Sequence, residues 1–246
     1  MATSTSRLAE LARTVRGRRL VATVMVAALT ITVASLVVSR SSLLRLRHLE
    51  VVGTSSLTRA EVVRLAALSP STNVLWFDAG AVERRLESDP WVARATVSRR
   101  LPGTIRISAV ERAPVAMLRD DPGFTLLAAD GIELGAVEAD PSLPEIVLVP
   151  GSSPRGGSPP AQAGAARAIA GLDGGGRPAV IRAVVGADGT LSVELADGSR
   201  VEYGDLTLIQ AKTIAARRIL RWARAQGDSV VSVNVATPDA PAATLG

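Results

Sequence analysis

The sequence predicts an α+β chain in three parts. A single membrane-spanning helix lies near the N-terminus, a small domain of order β-α-α-β-β follows, and a mixed β region carries a long helix near its end. Three observations support this reading. Leu20 to Val38 runs without a charge, an amide, a Pro or a Gly. From Leu46 to Val110 the apolar period passes from strand-like to helical and back, with a capping residue ahead of each helical run. Beyond Pro114, short alternating runs separated by Asp-Gly turns recur until one long helical pattern interrupts them.

At about 1.5 Å per residue the apolar stretch spans roughly 28 Å as a helix, close to the ~30 Å hydrocarbon core of a bilayer. A cleaved leader has a shorter apolar region, about 7–15 residues, and a small-x-small cleavage site. Here Leu36, Val37 and Val38 stand where the small residues belong, so a retained anchor over 20–38 is expected. Arg7, Arg13, Arg16, Arg18 and Arg19 precede it against Glu10, whereas Arg40, Arg45 and Arg47 follow it. The positive-inside rule then makes residues 1–19 a basic cytoplasmic tail. The bulk of the chain is expected outside the plasma (inner) membrane, in a type II, single-pass arrangement.

Charge and composition narrow the partners. Of the formal net charge of +5, most belongs to the tail before the anchor, so no strong basic excess remains beyond it. With 3 Trp, 1 Tyr and 2 Phe there is little to stack on bases, and no nucleic acid is expected. The absence of Cys excludes disulfides and thiolate metal sites.

The small domain is expected over 45–113. Leu46 to Val52 reads as a strand closed by Gly53. Thr58 and Glu61 form a capping box, with Leu57 and Val62 placed as a hydrophobic staple, and Ser69-Pro70 stops the helix. Asp78 caps a second helix with Val82 and Leu86 on one face. Trp91 to Arg100 alternates as a strand whose inner face is Ala93, Ala95 and Val97. Leu101-Pro102-Gly103 turns the chain into a returning strand with Ile105, Ile107 and Ala109 inward.

The motif text resembles a known family. A strand ending in Gly53, the capped helix, Asp89–Val92 (DPWV), Ser98–Ile107 (SRRLPGTIRI) and Val110–Ala116 (VERAPVA) follow one another just after a single apolar helix. This order resembles a POTRA domain and is similar to the bacterial cell division proteins FtsQ/DivIB.

Residues 114–238 read as the β domain that follows POTRA in that family. Short strands are expected around Met117-Leu118, Phe124–Ala128 and Ile146–Val149, with turns at Asp120–Gly123 and Asp130-Gly131. Gly151–Pro160 (GSSPRGGSPP) reads as a loop and Ala161–Ala170 as a short helix ended by Gly171. A meander over Val180–Val185, Thr190–Leu195 and Ser199–Tyr203 leads into a helix from about Leu206 to Ala225. Ile209, Ile214, Ile219, Leu220 and Trp222 are among its apolar residues. Ser229 to Val235 is the last expected strand, and 239–246 is expected as a C-terminal tail.

Little here suggests catalysis. The lone His48 excludes a histidine triad or a two-histidine metal site within one chain. The GLDGGG run at Gly171–Gly176 follows a helix and precedes a strand, the reverse of a phosphate-binding order. Asp130, Asp188 and Asp197 are accounted for by Asp-Gly turns. Glu111, Glu133, Glu138 and Glu145 could serve a wall hydrolase, but no spacing brings two together. The expectation is a non-enzyme with no cofactor, no metal and no small-molecule substrate.

What the resemblance implies is a scaffold of the divisome at the septum. It would link early and late division proteins by binding FtsB/DivIC and FtsL, with FtsK and septal peptidoglycan synthases as further partners. In the family the last strand receives a partner segment by β-augmentation; carried onto this sequence, that strand is Val230, Val231, Ser232, Val233, Asn234 and Val235. The alternative is a POTRA-type chaperone or assembly module for exported or outer-membrane proteins, which repeated POTRA units or a β-barrel would favour.

Overall fold

The computed structural model describes residues 23–120, 123–152, 160–172 and 179–246. The expected cytoplasmic tail, the first residues of the apolar stretch, the turn residues 121–122, most of the 151–160 loop and Gly174–Gly176 lie outside the described residues. The chain divides into two compact units: Met1–Ser88 with Arg94–Val110, and Asp89–Ala93 with Glu111–Gly246.

Helix α1 occupies residues 23–39 and continues the apolar stretch. Among the described residues no helix is long and apolar enough to cross a membrane. The side chains of α1 are nonetheless unburied: from Val24 to Val38 its large apolar residues are 47–68% exposed. Its hydroxyls are satisfied within the helix, Thr30 donating to the Val26 carbonyl and Thr32 to that of Ala28, each at 2.8 Å.

The first unit places three strands, β1 (His48–Val52), β2 (Val92–Arg100) and β3 (Thr104–Glu111), in the order β1-β3-β2. Strand β1 runs parallel to β3. This is possible because two helices, α2 (Arg59–Ala66) and α3 (Ala79–Glu87), make the crossover. Both start as expected. Thr58 and Glu61 form the reciprocal capping box, and the Asp78 carboxylate accepts from the Ala81 amide. Val62, Ala66, Val82 and Leu86 of the helices and Ile105, Ile107 and Ala109 of β3 are buried. One face assignment changes: Ala93 is exposed and Val92 is buried, while Ala95 and Val97 point inward. Two successive outward residues, Ala93 and Arg94, break the strict alternation on which the reading relied.

The second unit is a nine-stranded mixed sheet. Its strands are β4 (Pro114–Asp120), β5 (Gly123–Ala128), β6 (Glu133–Val137), β7 (Glu145–Leu148), β8 (Val180–Val185), β9 (Leu191–Leu195), β10 (Arg200–Gly204), β11 (Val230–Asn234) and β12 (Ala242–Leu245). They lie in the order β12-β11-β10-β9-β8-β7-β4-β5-β6. The parallel pairs β7–β8 and β10–β11 each enclose a helix, α4 (Ala161–Leu172) and α5 (Ile209–Gln226). Short turns make the antiparallel pairs, with Gly189 and Gly198 at positive φ.

Helices α4 and α5 pack on each other and on the sheet. The expected stop at Gly171 is overturned, because this residue lies inside α4. A Cβ there would stand 2.7 Å from Thr213 Cγ2 of α5, and one at Gly164 would stand 2.7 Å from Leu206 Cδ2. Both glycines therefore serve close packing. The inward face of α5 carries two polar residues. Lys212, Thr213, Ala216, Leu220 and Ala223 are buried, whereas Ile214 and Trp222 are 54% and 51% exposed.

Candidate functional site

The candidate residues Val230–Asn234 form β11, but β11 is not the edge of the sheet. It runs parallel to β10 on one side, with Val201 opposite Val233, and antiparallel to β12 on the other. Val235, the last of the candidate residues, follows the strand and is buried. The Val235 amide donates to the Glu202 carbonyl at 2.8 Å. Because successive residues of a strand turn their polar groups to opposite sides, Val233 also addresses β10. Ser232 and Asn234 address β12, opposite Thr244 and Ala242.

Strand β12 differs in kind from its neighbour. All four of its residues are exposed, and its nearest extension is the Gly246 amide donating to the Ser229 carbonyl at 3.0 Å. Val233 and Val235, in contrast, are fully buried in the main core. So β11 is built into the unit through its side chains, whereas β12 is held through its backbone. The expected tail over 239–246 thus holds a strand: Ala242–Leu245 follows Pro241 in a Pro- and Ala-rich run and is too short and too small to register by alternation.

Helix α5 borders this edge and is pinned at its start by a polar cluster the sequence reading missed. Lys212, the only lysine in the chain, is 1% exposed. Its ammonium donates to the Asp205 carboxylate at 2.6 Å and to the Asp205 carbonyl at 2.9 Å. Thr207 donates to the same carboxylate from its hydroxyl and its amide. The hydrogen bond from Lys212, followed by that from Thr207, lowers the Asp205 carboxyl to a pKa of about 2. Beneath it, the Tyr203 and Thr213 hydroxyls share a buried hydrogen bond of 3.0 Å, and burial pushes the phenol up. A lone lysine on the inward stripe of an arginine-rich helix was the available signal.

Several backbone groups at the edges of the three-stranded sheet are taken by side chains of the same unit. On β1 the Arg59 guanidinium donates to the Leu49 carbonyl at 2.6 Å. On β2 the amides of Ala95 and Val97 donate to Glu87 and Glu83 of α3 at 3.0 and 2.7 Å. Arg99 reaches the Phe77 carbonyl and lies over its ring. Self-capping of this sort blunts strand edges against other chains.

Of the carboxylates considered for hydrolysis, two stand on strands of the second sheet. Glu145 is held by Arg119 and Arg182, and the hydrogen bond from Arg119 keeps its carboxyl below the usual range. Glu133 stands on β6. His48 is exposed at the start of β1. Among the described residues no group of three or more His, Cys, Asp or Glu could hold a metal ion.

Comparison with known proteins matches this architecture to a family. Residues 44–112 match the model of the POTRA domain, FtsQ-type. A cell division protein FtsQ from Mycolicibacterium smegmatis is 37% identical over 98 residues, 40% of this chain and 29% of the relative. One from Novosphingobium aromaticivorans is 35% identical over 104 residues, 42% of this chain and 32% of the relative. The chain thus spans less than a third of the length of these relatives. The match to an FtsQ from Streptomyces collinus, however, runs at 31% identity over 239 residues, covering 92% of this chain and 89% of the relative. The chain belongs to the FtsQ family of cell division proteins.

Proposed function

We propose that the protein is a non-enzymatic, single-pass scaffold of the divisome. Its N-terminus is cytoplasmic, α1 and the residues before it form the anchor, and both units stand outside the membrane at the septum. It holds an FtsB/DivIC-type segment together with FtsL, and through them, with FtsK and the septal peptidoglycan synthases as further partners, helps control septal wall synthesis. The exposed apolar surface of α1 supports the anchor, since water offers such a surface no partner. Tethering every partner to one membrane raises their local concentration without new contacts.

The observation that carries the binding reading is the contrast between β11 and β12. A partner strand needs a row of backbone amides and carbonyls. Ser232 and Asn234 of β11 offer that row on a strand anchored in the core by Val233, and β12 pairs antiparallel against it. In this reading the partner segment takes the place of β12, leaving the core intact. The chaperone alternative would draw on the edges of the three-stranded sheet, where Arg59, Glu87 and Glu83 already take the Leu49 carbonyl and the Ala95 and Val97 amides.

The test is binding of the full chain to the partner's extracytoplasmic segment. Ala242→Pro with Thr244→Pro removes the two β12 amides that address β11. Two to three backbone hydrogen bonds at about 1 kcal/mol each hold β12, so its release tightens partner binding roughly 10- to 100-fold. Ser232→Pro with Asn234→Pro weakens it, in a fold verified by circular dichroism. Weaker binding on loosening β12 would mean that β12 itself is the acceptor and would overturn the displacement.

A further inference from the structure

The segment between α1 and β1 is tied down along its length. The Asn73 side-chain amide donates to the Ser39 carbonyl at the end of α1, at 2.7 Å. Leu46 donates to Thr72 and Val74 to Leu44, at 2.9 and 2.8 Å, around an antiparallel bridge between Arg45 and Asn73. Farther on, Arg47 donates to the Gly103 carbonyl at 2.8 Å. The loop that carries Asn73 is therefore held against the end of the helix.

Trp76 belongs to that loop. It is 66% exposed, and it lines a shallow groove with Leu36, Arg40, Arg45 and Asn73. Leu36 lies three residues inside the end of α1, about 5 Å along the axis. An indole at that level, with guanidinium groups just beyond the apolar run, matches the order of a bilayer interface. Tryptophan prefers the boundary, and arginine reaches the phosphates above it. Leu43, 57% exposed, continues the apolar surface past the helix end.

We propose that Trp76, Arg40 and Arg45 form a lipid-contact site that seats the first unit on the anionic surface of the membrane beside α1. The proposal rests on α1 being part of a membrane anchor. The occupant is the headgroup and upper acyl region of anionic phospholipid, matched by the positive charge of the two arginines and by continuity with the exposed apolar face of α1. The unit is thereby fixed in orientation to the bilayer.

The experiment uses the full chain in vesicles of phosphatidylcholine, with and without phosphatidylglycerol. Tryptophan emission is quenched by lipids brominated near the headgroup end of the acyl chain. Quenching is expected in the native protein and is expected to be lost in Trp76→Leu, with Trp91 and Trp222 still emitting. Phosphatidylglycerol deepens the quenching, and Arg40→Gln with Arg45→Gln abolishes that increment. Alkaline carbonate extraction separates the two readings. A chain that carbonate releases lacks the anchor, and both readings fall. A chain that stays in the vesicles but shows equal quenching in the Trp76→Leu variant overturns the lipid site alone. An undiminished phosphatidylglycerol increment in the arginine variant overturns the charge match.

Discussion

Replacing Lys212 by Met tests whether the cluster at the start of α5 stabilises the second unit. The ammonium makes two hydrogen bonds to Asp205, of 2.6 and 2.9 Å, from a side chain that is 2% exposed. Hydrogen bonds involving a charged group contribute about 1.5–3 kcal/mol each, but losing the lysine also removes the cost of burying an ammonium. The charge left behind is not buried, since the Asp205 side chain is 51% exposed and regains water. The net cost of Lys212→Met is therefore about 1–2 kcal/mol, below the 3–5 kcal/mol typical when a buried charge is orphaned. Lys212→Ala adds a cavity and costs about 3–5 kcal/mol. The sign with pH follows from Asp205. Its carboxyl is held at about 2 in the folded chain against an ordinary 3.8. The stabilisation is complete above the ordinary value and is lost as pH falls through 2. The gap between native protein and Lys212→Met should thus narrow from pH 5 toward pH 2. Native-state hydrogen exchange of the β10 and α5 amides reads the change for this unit by itself. A Lys212→Met chain as protected as the native one at pH 5, or a gap that widens on acidification, refutes the reasoning.

Two further perturbations address the first unit. Gly53 has φ of +87°, and an added Cβ would lie 2.2 Å from the Ala109 carbonyl oxygen. Gly53→Ala should cost about 3 kcal/mol or more through left-handed strain and a backbone collision, read as loss of exchange protection in β1 and β3. Glu83→Ala with Glu87→Ala strips the acceptors from the Val97 and Ala95 amides. These two amides should then exchange faster and β2 should become open to added strands. Unchanged exchange at both would show that the carboxylates do not guard the edge.

Much of the fold was legible because local chemistry and tertiary packing agree. Thr58 with Glu61 and Asp78 with Ala81 cap their helices as the spacing requires. Ile105, Ile107 and Ala109 fall inward by simple alternation. Where the reading failed, packing overrode a local signal. Gly171 looks like a helix stop, yet its missing Cβ lets α4 approach Thr213. Helix α5 turns Lys212, Thr213 and Ala216 inward and leaves Ile214 and Trp222 half exposed, which hydropathy by itself does not specify. A lysine can occupy that stripe only because Asp205 waits at its end, and no helical period reports that.

The candidate site divides in the same way. The chain's apolar and polar order by itself determined that Val230–Asn234 is a strand following a long helix; of the alternate valines, Val233 and Val235 enter the core while Val231 is 54% exposed. Hydropathy likewise determined an apolar helix ahead of the first unit, since both follow from side-chain periodicity. Only the tertiary structure decided that β11 pairs in parallel with β10 and that Ala242–Leu245 lies against its other side. Strand pairing is made by backbone groups that every residue carries. A four-residue segment with no buried side chain therefore leaves almost no trace in sequence, although it covers the surface on which the function is proposed to depend.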